Sequence, residues 1–319
     1  MIKSPARDIQ MGGDHAQERL TTWKERAVKF ALGFLVGGIS STFAFAEHPI
    51  DVQKLSAEGD HFRALSVYEL LPDRRLGEDT HVAAAKSSWA LGMTKQAAEL
   101  LDAVLRGDAI DDDERARITL MRGVIEYQEE RYQEAALFAE KAAAYIPERA
   151  PLRGRAMLLW GQSLMRAHAY ATAEEKLLRA LADAAPSDRP DVALALGTVL
   201  IKLGKMNEAE RTLKMIPSEH EYAPAAIRLL ASIALQTKQG ERARFWIEKG
   251  KQNYSNSFLD SWPDFGLVTV ALSENDLTRA RSIVDKAQQR LPPSDAWLIL
   301  MQAALEQAEW REISKGTKE

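Results

Sequence analysis

The chain has 319 residues, with 42 Lys+Arg against 46 Asp+Glu, a formal net charge of -4, and 46% hydrophobic residues. That much apolar material can bury a core, which excludes wholesale disorder, and the near-balanced charge excludes a generally basic nucleic-acid-binding surface. Cysteine is absent, so disulfides, thiolate metal sites and cysteine nucleophiles are excluded, and either a reducing or an oxidising compartment is compatible.

Residues 1–29 are polar and lack sustained apolar periodicity. From Phe30 to Ala46 (FALGFLVGGISSTFAFA) the chain runs without a charge, behind the basic residues Lys24, Arg26 and Lys29. A membrane-spanning helix wants roughly 20 predominantly apolar residues, whereas this stretch is shorter and carries glycines and the polar run Ser40-Ser41-Thr42. It ends in Ala44-Phe45-Ala46, the small-x-small pattern of a signal-peptidase site, followed by Glu47 and Pro49. The reading is an export signal cleaved after Ala46, with a long n-region unless translation starts at Met11. The mature chain would then be periplasmic or secreted. The alternatives are an uncleaved membrane anchor holding the fold outside the cytoplasm, and a buried helix.

From Asp51 the chain is a succession of helix-forming segments separated by short turns. Ala, Leu, Glu, Arg and Lys dominate, and no β-branched run alternates with period two. Small residues recur at a fixed phase. One series, early in every second helix, is Ala64, Ala97, Ala135, Ala173, Ala209, Ala243 and Ala280, with spacings of 33 to 38 residues. A second, at the centre of first helices, is Gly123, Gly161, Gly197 and Ala231. Two antiparallel helices cross most closely where neither carries bulk, so these positions mark crossings. Leu101, Ala139, Leu177, Leu213, Ile247 and Val284 follow four residues after an alanine and fill the flanks. Each pair alone would leave an apolar face wet, so stacking must supply the core.

This pattern resembles the tetratricopeptide repeat family. The resemblance rests on Gly123 with Tyr127, Tyr132, Ala135, Ala142 and Pro147; on Trp160-Gly161 with Tyr170, Ala173 and Ala180; and on Leu196-Gly197 with Leu203-Gly204, Ala209 and Pro217. It implies an all-α, right-handed α-α superhelix of about six to seven helix pairs over residues 51–308, closed by a C-terminal capping helix, with residues 309–319 a frayed tail. Units of 36 to 38 residues exceed the family's usual 34, which admits a related helical-hairpin solenoid.

Catalytic and cofactor motifs are absent: there is no GxGxxG, no Walker loop, no HExxH and no GxSxG. No two mature histidines stand three or four apart, so no metal set forms, and no cofactor is expected. The run Asp111-Asp112-Asp113-Glu114 directly precedes a helix and reads as capping rather than a calcium loop. The chain is therefore expected to be a non-enzymatic scaffold or adaptor of the cell envelope that binds a protein or peptide. No nucleic acid is expected, and membrane contact only through the amino-terminal segment. The alternative is a helical accessory domain of an enzyme or export system, holding a glycan or substrate.

By the resemblance, first helices line the concave surface. The candidate protein-binding residues there are Lys86, Trp89, Arg117, Tyr127, Arg155, Gln162, Met165, Thr198, Lys202 and Arg228, with Leu120, Leu158 and Leu194 expected to pack as core. The family's carboxylate clamp would need Asn at the centres of adjoining first helices. Those positions hold Val124, Gln162 and Thr198, which excludes that ligand class. The aromatics Tyr254, Phe258, Trp262 and Phe265 are expected to pack over the solenoid rather than form an exposed contact loop.

Overall fold

The computed structural model describes residues 48–72 and 76–316. The export or anchor segment expected over 1–46 lies outside them. Among the described residues every regular element is a helix, and no helix is long and apolar enough to cross a membrane.

The helices form seven antiparallel pairs. These are α1 (Pro49–Ala57) with α2 (His61–Leu70), α3 (Glu78–Ala90) with α4 (Thr94–Leu105), and α5 (Asp112–Gln128) with α6 (Tyr132–Tyr145). Then come α7 (Pro151–Arg166) with α8 (Tyr170–Asp183), α9 (Arg189–Lys202) with α10 (Met206–Leu213), and α11 (Ala223–Gln236) with α12 (Gly240–Asn253). Last are α13 (Trp262–Ser273) with α14 (Leu277–Arg290), and α15 (Ala296–Gly316) covers the end. Each helix packs on its partner and on the next pair. The odd-numbered helices also reach one another, α5 with α7, α7 with α9, α9 with α11 and α11 with α13, while the even-numbered ones make at most marginal contact. A stack bends toward its more closely packed layer, which puts the odd-numbered helices on the inner side.

The crossings fall where the small residues stand. Ala64, Ala97, Ala135, Ala173, Ala209, Ala243 and Ala280 are all 0% exposed. A Cβ built on Gly161 would meet Leu177 Cγ at 2.5 Å and the Ala173 carbonyl oxygen at 3.4 Å; one on Gly197 would meet Leu213 Cδ2 at 2.6 Å. The flanking residues are buried too: Leu101, Ala139, Leu177 and Ile247 at 0%, Leu213 at 1% and Val284 at 3%. Leu158 and Leu194 sit half-buried against the central cluster around Leu177, Leu196 and Leu213.

The turns repeat as faithfully. Five residues before each alanine stands a residue in the left-handed backbone region: Gly59, Gly92, Glu130, His168, Gly204, Lys238 and Asn275. The next residue's N–H donates five residues back, as from Met93 to the Ser88 carbonyl at 2.8 Å, Arg131 to Glu126 at 2.9 Å and Gln239 to Ala234 at 2.8 Å. This satisfies a carbonyl that the helix end leaves free and turns the chain straight into the second helix.

Phe258 and Trp262 are buried, each 5% exposed, and the Phe258 ring lies against Gly250, which leaves no room for a Cβ there. Phe265 packs on Trp297 with ring centroids 4.8 Å apart, so the aromatic segment is packing, as expected. Instead of fraying from residue 309, α15 stays helical to Gly316. Leu298, Met301 and Leu305 bury its inner face, and Glu309 accepts from Arg281 at 2.5 Å, which ties that turn to α14.

A non-glycine residue in the left-handed region costs about 1–2 kcal/mol, partly offset by the greater unfolded-state freedom of glycine. Lys238→Gly, at an exposed turn with φ 57°, is therefore expected to raise stability by roughly 0.5–1 kcal/mol. Gly204→Ala, at φ 75°, should lower it by a similar amount. Denaturant titration of both variants checks this; a Lys238→Gly protein no more stable than wild type would show the turn to be unstrained.

Candidate functional site

The inner side offers a strip built from α3, α5, α7, α9 and α11. Its floor is half-buried apolar surface: Leu158, Met165, Leu194 and Ile201 all pack sideways against the central core. Above this floor the polar candidates divide into two kinds.

Some are spent within the chain. Arg155 Nε donates to Asp188 Oδ2 at 2.7 Å, joining α7 to the start of α9. Arg228 donates to both oxygens of Asp260 at 3.0 and 2.8 Å and to the Ser257 carbonyl, and its guanidinium lies 4.6 Å from the Phe258 ring centroid and 5.0 Å from that of Trp262. That makes Arg228 the clasp of the aromatic segment. Arg117 pairs with Asp113 one turn earlier at 2.8 Å. Trp89 Nε1 donates to Gln128 Oε1 at 2.6 Å, and the Thr198 hydroxyl donates to the Leu194 carbonyl at 2.8 Å.

Others remain open. Lys86 and Lys202 are exposed and Gln162 is half-buried; none of the three is within bonding reach of another side chain among the described residues. Tyr127 is half-buried, edge-on to Tyr132 at 5.4 Å, and Arg166 lies over Tyr132 at 5.0 Å while donating to its hydroxyl at 2.7 Å. Burial pushes the Tyr127 hydroxyl above the usual phenol range, so it stays neutral. Lys86, Gln162 and Lys202 sit on α3, α7 and α9 respectively, so the open polar groups are distributed along the strip rather than gathered at one point.

Beside Tyr127 is a buried charge network that spacing alone did not single out. The Glu126 side chain is 4% exposed, accepts from Arg122 on its own helix and from Arg131 in the turn, and Arg122 also donates to Asp102 of α4 at 3.0 Å. Burial opposes the Glu126 charge, but the hydrogen bonds from Arg131 and Arg122 outweigh it and hold the carboxyl below its usual range. The signal available in the sequence was a Glu flanked by Arg at i−4 and i+5 across a turn.

Among the described residues no group of three or more His, Cys, Asp or Glu could hold a metal ion. His168 bonds the Tyr170 hydroxyl at 2.8 Å in an exposed turn.

Tetratricopeptide repeat profiles match residues 82–151 and 164–221. With seven pairs crossing at buried small residues, that settles what these stretches are. They are tetratricopeptide repeats. No curated protein matches it in sequence. Among solved structures it is similar to PilW, a widely conserved type IV pilus biogenesis factor, at 18% identity over 70% of this chain and 98% of that one, with a TM-score of 0.57. Pseudomonas aeruginosa PilF matches at 20% identity over 66% and 95%, with a TM-score of 0.52. The apo form of RapI matches at 13% over 75% and 100%, with a TM-score of 0.55. At such identities these likenesses speak for the tetratricopeptide fold alone.

The Glu126 network makes a pH prediction. A carboxyl whose folded pKa is depressed contributes stability that is present above its unfolded pKa and lost as pH falls through the folded value. Glu126→Gln should therefore lower stability at neutral pH, by about 1–2 kcal/mol, the worth of charge-assisted hydrogen bonds whose arginines keep Asp102 and Glu129, and flatten the loss of stability below about pH 4. Chemical denaturation across that range tests it; parallel pH curves for the two proteins would contradict the assignment.

Proposed function

We propose that this tetratricopeptide array is a non-enzymatic scaffold that binds an extended peptide or a helix of a partner protein along its inner strip. The reading is carried by one observation: α7 and α9, whose half-buried Leu158, Met165, Leu194 and Ile201 supply apolar surface, also carry Gln162 and Lys202, which bond no other side chain among the described residues. Polar groups without internal partners, above half-buried apolar surface, supply orientation and contact area together. The export signal expected over residues 1–46 extends the reading to an extracytoplasmic protein of the cell envelope. The likeness to PilW, a pilus biogenesis factor, supports an assembly role there.

The test begins with the stoichiometric partner recovered from the native envelope fraction and the amino terminus of the recovered protein, expected at Glu47. Lys202→Glu and Gln162→Ala should each leave the melting temperature unchanged. If either is a hot spot, truncation costs about 2 kcal/mol, a roughly 30-fold loss of affinity. Arg155→Glu is a poor probe, since it would set a carboxylate against Asp188. Full affinity in both folded variants would remove the strip from the interface; an intact, soluble amino terminus would remove the export reading.

A further inference from the structure

The layer of even-numbered helices carries a feature independent of the inner strip. Because α4 and α6 scarcely touch, an open groove of about 340 Å³ lies between them, floored by α5. Three cations line it: Arg106 from α4's end, Arg115 from α5 and Lys141 from α6. None has a carboxylate within ion-pairing distance among the described residues. Arg115 donates only to the carbonyls of Leu105 and Gly107, at 2.9 and 2.8 Å, capping the end of α4. The one acid in the lining, Asp102, is already engaged by Arg122 at 3.0 Å. Between the cations stand Leu105, Phe138 and Tyr145. Lys141 lies 5.7 Å from the Phe138 ring centroid, and Tyr145 is 40% exposed.

Uncompensated charge of one sign around apolar surface selects an occupant of opposite sign with apolar groups of its own. A long polyanion does not suit the surroundings. The groove's neighbour is an acidic cleft lined by Glu78, Asp79 and Glu114, and Glu78 approaches Gly107, whose carbonyl Arg115 binds. Crowding there, after burial itself, raises the Glu114 pKa through Asp79, Asp111 and Glu78. A nucleic-acid backbone running out of the groove would meet that charge, whereas a short peptide can end before it. We propose that the groove is a second docking site, taking a short acidic stretch of a partner polypeptide with an apolar or aromatic side chain between its carboxylates.

The test uses the full chain, fluorescently labelled, on an array of random-sequence decapeptides at low salt. Wild type should select peptides enriched in Asp and Glu together with an aromatic residue. The double variant Arg106→Glu with Lys141→Glu should bind those peptides about tenfold more weakly or worse. Arg106→Gln with Lys141→Gln should give an intermediate loss, with an unchanged melting temperature in both, because neither residue holds the fold and Arg115 is left in place. Lys202→Glu, on the inner strip, should keep the acidic selection, which separates this site from the proposed peptide strip. Selection without acidic enrichment, or acidic peptides bound equally well by the Glu variants, would overturn the proposal. So would binding of a single-stranded oligonucleotide that the same variants abolish while peptide binding persists.

Discussion

The structure depends on one constraint, the close crossing of paired helices at positions that admit no side chain larger than alanine. Seven alanines with no exposure and glycines opposite several of them set the distance between partners. From this the rest follows. Close approach leaves the leucines and isoleucines one turn away to fill the flanks, which makes each pair's apolar faces wide enough to need a neighbour. It also demands a tight turn, which is why a left-handed residue stands at the same distance before every alanine. The protein accepts non-glycine residues at several of these turns and bears the strain.

Electrostatics plays a different part. Ion pairs link repeats at close to the repeat period: Arg155 to Asp188, Arg228 to Asp260, Lys205 to Glu174 and Arg244 to Glu274, separated by 33, 32, 31 and 30 residues. Exposed pairs of this kind each contribute little to stability. Their common spacing instead fixes the register of one repeat on the next, and it consumes charges that would otherwise face a ligand. What remains uncompensated is correspondingly informative: lysines and an amide on the inner strip, and three cations in the groove between α4 and α6.

The fold was legible in the sequence because its governing interaction is steric and strictly periodic. Ala64 through Ala280 could be phased by eye, and Leu177 and Leu213 could be placed beside them without any knowledge of their contacts. The site was less legible. Arg117, Arg155 and Arg228 share a face with Lys86 and Lys202, so helical phase alone grouped them. Three-dimensional proximity is needed to see that Asp188 and Asp260 claim Arg155 and Arg228 from the next repeat, whereas Asp113 stands four residues before Arg117 and that pairing is readable from the helix. The Glu126 network stayed hidden because its arginines approach from the same helix and across a turn, and the basic groove because its three residues come from three helices with no shared spacing. The left-handed turns could have been found, since Gly59, Gly92 and Gly204 stand at one phase, but Glu130, His168 and Lys238 at the same phase conceal them.

The most direct test of the crossing constraint is a double-mutant cycle on Gly161 and Leu177, read by equilibrium denaturation. Alanine favours a helix over glycine by about 1 kcal/mol, so helix propensity alone would make Gly161→Ala stabilising. With Leu177 Cγ only 2.5 Å from the new Cβ, the substitution should destabilise the wild-type protein. In the Leu177→Ala background, where the obstruction is gone, it should become neutral or stabilising, a coupling of about 1 kcal/mol or more. Identical effects of Gly161→Ala in both backgrounds would contradict the account, because the glycine would then not be marking a crossing.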